Sequence, residues 1–136
     1  MIGRVLDSSA LIAWGSRSSP YVDAVIFSRT EHHGYVVPVV TTAAALTVAL
    51  AQLPGKAAPV VEALLAMEIC VVDELTPGSA PAVAEVLREA GPYAAELGVT
   101  AATIVQAAGR RSLPVVTSNP YPLTSLRPDL EIDLIP

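Results

Sequence analysis

Short apolar runs alternating with helix-periodic segments constrain this chain more than any other feature. Arg4 to Leu6, Tyr35 to Val37, Ile69 to Val72 and Pro114 to Thr117 are brief and mostly β-branched or apolar. Each is too short for a helix and suits a buried strand. The segments between them carry helical spacing. Val22, Val25 and Ile26 form one such set, and Ala57, Val60, Val61 and Leu64 another. Val83, Val86, Leu87 and Ala90 form a third, with Glu85, Arg88 and Glu89 on the opposite face. Strand–helix alternation of this kind implies right-handed crossovers and a mainly parallel sheet covered by helices. The expected fold is therefore α/β, a three-layer α/β/α sandwich.

Boundaries follow from caps and breakers. Asp7, Ser8 or Ser9 is placed to cap a helix through Ala10 to Trp14. Thr41 to Leu53 reads as an Ala-rich helix stopped by Pro54-Gly55. Gly91-Pro92 closes another helix, and Thr100 is placed to cap the next. Leu130 to Ile135, with alternating Glu131 and Asp133, reads as an edge strand. No repeat or low-complexity linker divides the chain, so residues 1–136 form one expected domain.

Composition narrows the function classes. Apolar residues make up 52% of the chain and charged residues 15%, well below the average charged share of about 25%. So few charges favour a buried subunit interface, and a homodimer or larger assembly is expected. The net charge of −5 argues against general binding to a phosphate backbone. Arg110-Arg111 is the one adjacent basic pair, and it suits a helix C-terminus. The single cysteine, Cys70, cannot form an internal disulfide, and its apolar run predicts a buried, inert thiol. No Cys/His spacing suggests zinc, and His32-His33 before Gly34 reads as a turn. The opening MIGRVLDSSAL carries Asp7 within its apolar run and does not read as a signal peptide. Gly34 to Gly55 is uncharged, but Pro38 divides it into a strand and a helix rather than a membrane span. A cytoplasmic location fits these features.

In an open α/β sheet, ligands bind beyond the carboxyl ends of the strands. That rule selects Asp7, Ser8 and Ser9, then Val39 to Thr42, then Asp73 and Glu74, then Thr117, Ser118 and Asn119. Each has a plain structural reading as well. Asp7 suits an N-cap, and Thr117 to Pro120 suits a turn. There is no GxGxxG, P-loop or GxSxG, and Asp7 lacks the acidic neighbour of a phosphorylated receiver domain.

Val5-Leu6-Asp7-Ser8-Ser9-Ala10-Leu11 resembles the opening of PIN domains, best known as VapC-type toxins of bacterial toxin–antitoxin pairs. Val37-Pro38 with its helix, Gly98-Val99-Thr100 with its helix, and Pro114 to Pro120 resemble the family's later motifs in order. The resemblance implies a ribonuclease dependent on Mg²⁺ or Mn²⁺, with four clustered acids as hard oxygen ligands. Of the four positions it implies, Asp7 keeps its acid, while Ala44, Ala101 and Asn119 stand at the other three. Thr117 and Ser118 would complete the relic site.

Alanine cannot ligate a metal, and asparagine offers one neutral oxygen. Asp73, Glu74 or Glu96 would have to compensate for the missing charge. The leading expectation is thus a PIN homologue with little or no catalysis, no cofactor, and Asp7 as a weak or lost metal ligand. It would act by self-association, by holding an antitoxin-like protein, or by residual RNA contact. The alternatives are an active Mg²⁺- or Mn²⁺-dependent endoribonuclease toxin and an unrelated small α/β interaction module.

Overall fold

A computed structural model describes residues 3–30, 37–92, 94 and 98–136. Its centre is a five-stranded, all-parallel sheet in the order β3-β2-β1-β4-β5. The strands are β1 (Arg4–Leu6), β2 (Val39–Thr42), β3 (Cys70–Asp73), β4 (Val115–Thr117) and β5 (Ile132–Leu134). In register, Val5 lies opposite Val40 on one side and Val115 on the other. Val5, Leu6, Val39, Val40, Val115 and Val116 are all fully buried, as a sheet covered on both faces requires.

The helices are α1 (Ser8–Gly15), α2 (Pro20–Thr30), α3 (Ala43–Gln52), α4 (Ala58–Leu65), α5 (Ala80–Ala90), α6 (Val99–Arg111) and α7 (Tyr121–Leu126). α1 packs against α2, α3 and α4, while α5, α6 and α7 pack on one another and α3 also meets α6. α1 buries Ala10, Leu11, Ala13, Trp14 and Gly15, so beyond its first turn it is an apolar central helix. Burying a side chain such as Leu11 contributes about 1.5–3 kcal/mol. The Trp14 indole Nε1 donates to the Val60 carbonyl at 2.9 Å, which ties α1 to α4. The Arg17 guanidinium lies over the same ring, 4.6 Å from its centroid. Gly15 sits where helices meet closely, since a Cβ there would come within 2.6 Å of Leu53 Cδ1. α5 keeps the amphipathic pattern of its sequence, with Val83, Val86 and Leu87 buried.

The α/β architecture, its parallel sheet and the edge position of β5 match expectation. Several local readings do not. The second strand is Val39–Thr42, not Tyr35 to Val37; Val37 precedes the strand, and Tyr35 and Val36 lie outside the described residues. β2 therefore takes residues assigned above to a strand-end loop, and α3 starts at Ala43 rather than Thr41 because the Thr42 hydroxyl caps it by accepting from the Ala45 N–H. Gly98, not Thr100, precedes α6, and no side chain caps that helix. Cys70 is half-buried rather than enclosed, because β3 is an edge strand. His32, His33 and Gly34 lie outside the described residues. Among the described residues, no helix is long and apolar enough to cross a membrane.

Candidate functional site

The strand order contains one reversal. The chain runs outward from β1 to β2 and β3, then returns to the other side of β1 to form β4 and β5. Helical crossovers thus leave in opposite directions at β1 and β4, which opens a crevice beyond their carboxyl ends. Asp7 follows β1 directly, and Ser118-Asn119 follow β4.

Asp7 is the N-cap of α1 and is 8% exposed. Its Oδ1 accepts from the Ser9 hydroxyl at 2.6 Å and from the Ala10 N–H at 3.0 Å. Its Oδ2 accepts from the fully buried Thr117 hydroxyl at 2.5 Å. Ser9 and Thr117 lie 3.2 Å apart, oxygen to oxygen. Ser9 Oγ accepts from the Ser118 N–H and Thr117 Oγ1 from the Asn119 N–H, both at 2.9 Å. One network therefore joins the ends of β1 and β4. Burial pushes the Asp7 carboxyl above the usual carboxylate range, against the opposing pull of the Ser9 and Thr117 hydroxyls and the nearby backbone N–H groups.

The crevice above Asp7 has a volume of about 600 Å³, within the range of small-molecule sites. Asp7, Ser8 and Ser9 form its floor, and Thr100, Ala101 and Ile104 of α6 form one wall. Val48 and Gln52 of α3 line it too, with Asn119, Pro122 and Leu123 closing the far side. No lysine or arginine is among the lining residues. The uncapped start of α6 faces this space through Gly98, Val99 and Thr100.

Of the positions selected from sequence, Asp7, Ala101 and Asn119 come together here, with Thr117 beneath them and Ser118 in the same network. Ala44 does not. It borders a separate small depression with Thr42, Asp73, Glu74 and Arg110. The adjacent Ala45 is already fully buried in the core. The α3 residues that do reach the crevice, Val48 and Gln52, were missed. They continue the i, i+4 line from Ala44, which was the available signal.

Asp73 and Glu74 do not line the crevice either. Asp73 is held by Arg111, with Nη1–Oδ2 at 2.7 Å and Nη2–Oδ1 at 2.6 Å. The Arg111 guanidinium, helped by the charge of Arg110, holds the Asp73 carboxyl below the usual range. Glu96 lies outside the described residues. Among the described residues, no group of three His, Cys, Asp or Glu side chains is placed to hold a metal ion.

Comparison with known proteins supplies the family. No curated protein matches this chain. The crystal structure of PAE2754 from Pyrobaculum aerophilum superposes with a TM-score of 0.56 at 19% identity, covering 96% of this chain and 91% of that one. At that identity the likeness is one of fold. The family model described as PIN domain matches residues 4–121, which span β1, β4 and every crevice residue named above except Pro122 and Leu123. The chain therefore belongs to the PIN domain family.

Proposed function

We propose that this PIN domain binds through its crevice rather than cutting RNA there. The observation that carries the reading is the state of Asp7, the one carboxylate among the described residues that line the crevice. Both Asp7 oxygens already accept from the protein, and alanine and asparagine stand at the other two crevice positions where the family resemblance implies acids. Mg²⁺ and Mn²⁺ are hard cations that favour charged oxygen ligands in octahedral geometry. One engaged carboxylate and one neutral amide do not fit such an ion.

The partner in this reading is a protein, either a second copy in a homodimer or an antitoxin-like chain, in the cytoplasm. An uncharged α3 with Thr47, Leu50 and Ala51 exposed supports self-association. RNA is the poorer partner, given the net charge of −5 and a crevice without lysine or arginine.

Calorimetry with Mn²⁺ tests the central claim. The wild type is expected to show no saturable binding below millimolar concentration. The double variant Ala101→Asp/Asn119→Asp is expected to gain binding and a metal-dependent rise in melting temperature, because a ligand that binds only the native state stabilises it. Adding Ala44→Glu tests whether a carboxylate one turn before Val48 reaches the same cluster. Sub-millimolar Mn²⁺ binding by the wild type, abolished by Asp7→Asn, would overturn this reading and revive the second one, a metal-dependent ribonuclease. The family itself favours that alternative, being generally nuclease-like.

A further inference from the structure

The crevice has the chemistry of a site for a small uncharged molecule. Its polar groups fall into two sets. Asp7, Ser9 and Thr117 are consumed by the network that joins β1 to β4. The side chains of Ser8, Gln52, Thr100 and Asn119 make no hydrogen bond within the described structure, and Ser8, Gln52, Thr100 and Asn119 all line the space. Two of these are carboxamides, each offering a donor and an acceptor side by side. Aliphatic walls face them, chiefly Ile12, Val48, Ile104 and Leu123. The geometry points to a ligand of ring size that carries an amide-type edge and no charge.

Charge decides between ligand classes. An anion entering the crevice meets no lysine or arginine among the described lining residues. The open start of α6 favours negative charge, but a helix end is worth less than the desolvation of an unpaired carboxylate, and Asp7 lies on the floor. A cation would be drawn toward Asp7, yet that carboxyl is nearly enclosed and both of its oxygens already accept hydrogen bonds. A neutral amide loses little hydration that Gln52 and Asn119 do not restore, and its ring covers the aliphatic walls. Such an edge occurs on lactams, ureides and primary amides alike. This inference goes beyond the protein-binding role and depends only on the crevice lacking a bound metal.

Benzamide, benzoate and benzamidine share a size and a ring but differ in charge, so they separate the classes. Each is titrated into the ¹⁵N-labelled full chain with EDTA present, and amide chemical shifts are followed. Benzamide is expected to shift Ser8, Gln52, Thr100 and Asn119 saturably, with an apparent Kd at least fivefold lower than that of either ion. Gln52→Leu, at an exposed position that spares the core, should weaken benzamide at least threefold without changing the melting temperature. Benzoate or benzamidine binding as tightly as benzamide would overturn the inference. So would benzamide shifts absent from the crevice, or a Gln52→Leu variant that folds and binds normally. None of these outcomes bears on Mn²⁺ binding, which is measured separately without chelator.

Discussion

Replacing Asp7 by asparagine and by alanine should give opposite results, and the contrast follows from its three donors. In Asp7→Asn, Oδ1 keeps the Ser9 hydroxyl and the Ala10 N–H. The new amide donates to Thr117 Oγ1, whose own proton turns to Ser9 Oγ, 3.2 Å away. Every hydroxyl and acceptor stays partnered, only the second amide N–H gains no partner, and because no charge is buried the variant should lie within about 1 kcal/mol of wild type at neutral pH, on the more stable side. In Asp7→Ala, the cap of α1 is lost at a cost of about 1 kcal/mol. The buried Thr117 hydroxyl and the Ser9 hydroxyl also lose their acceptor, adding about 1–3 kcal/mol. The sign with pH follows from burial. Because the folded-state pKa of Asp7 is raised above its ordinary 3.8, the stability it contributes is full below 3.8 and is lost as pH rises through the raised value. The advantage of Asp7→Asn should therefore shrink on acidification. Urea unfolding followed by the fluorescence of Trp14, the chain's one tryptophan and a buried one, measures all three proteins at pH 7.5 and pH 4. If asparagine costs as much as alanine at pH 7.5, or its offset from wild type ignores pH, the account of Asp7 is wrong.

Arg111→Met should cost about 1–2 kcal/mol at pH 7. The bidentate pair with Asp73 is charge-assisted, but both side chains are 21% exposed and Arg110 stands 3.9 Å from the same carboxylate. Since the Asp73 pKa is lowered in the fold, its contribution is present above 3.8 and vanishes as pH falls through the lowered value. A loss of the same size at pH 2.5, in urea titrations, would point to packing instead. Trp14→Phe removes the bond to the Val60 carbonyl and weakens the contact with Arg17, and should lower stability by about 1–2 kcal/mol in thermal melts followed by circular dichroism.

Much of this was legible before any coordinates. Arg4 to Leu6 and Pro114 to Thr117 are bounded apolar runs in which period and composition agree, and both form strands. Asp7, as the first polar residue after a buried strand, was marked by the strand-end rule. What failed was phase. Pro38 tempts a reading that ends the strand early, yet it stands just before β2, where its missing N–H breaks no ladder bond. The implied acid position at Ala44 lies on the same i, i+4 line as Val48 and Gln52, but those two, a turn and two turns further along α3, are the residues that line the crevice. The strand-end rule and the family resemblance put Thr117 in the same site as Asp7, but not the hydrogen bond between them, since a contact across 110 positions leaves no local periodicity.

That long separation also governs how the molecule is made. β1 lies at the centre of the sheet, but β4, its partner on one side, is translated more than a hundred residues later. At about 5–20 residues per second, that delay amounts to roughly 5–20 s during synthesis. Until then β1 can pair only with β2, leaving its other edge open. The Thr117 hydroxyl reaches Asp7 in the same event that seals this edge, so the crevice is finished only when the sheet is. Mutations that slow the arrival of β4 should therefore expose an unpaired central strand to other nascent chains, a hazard that stability measured on the finished protein does not register.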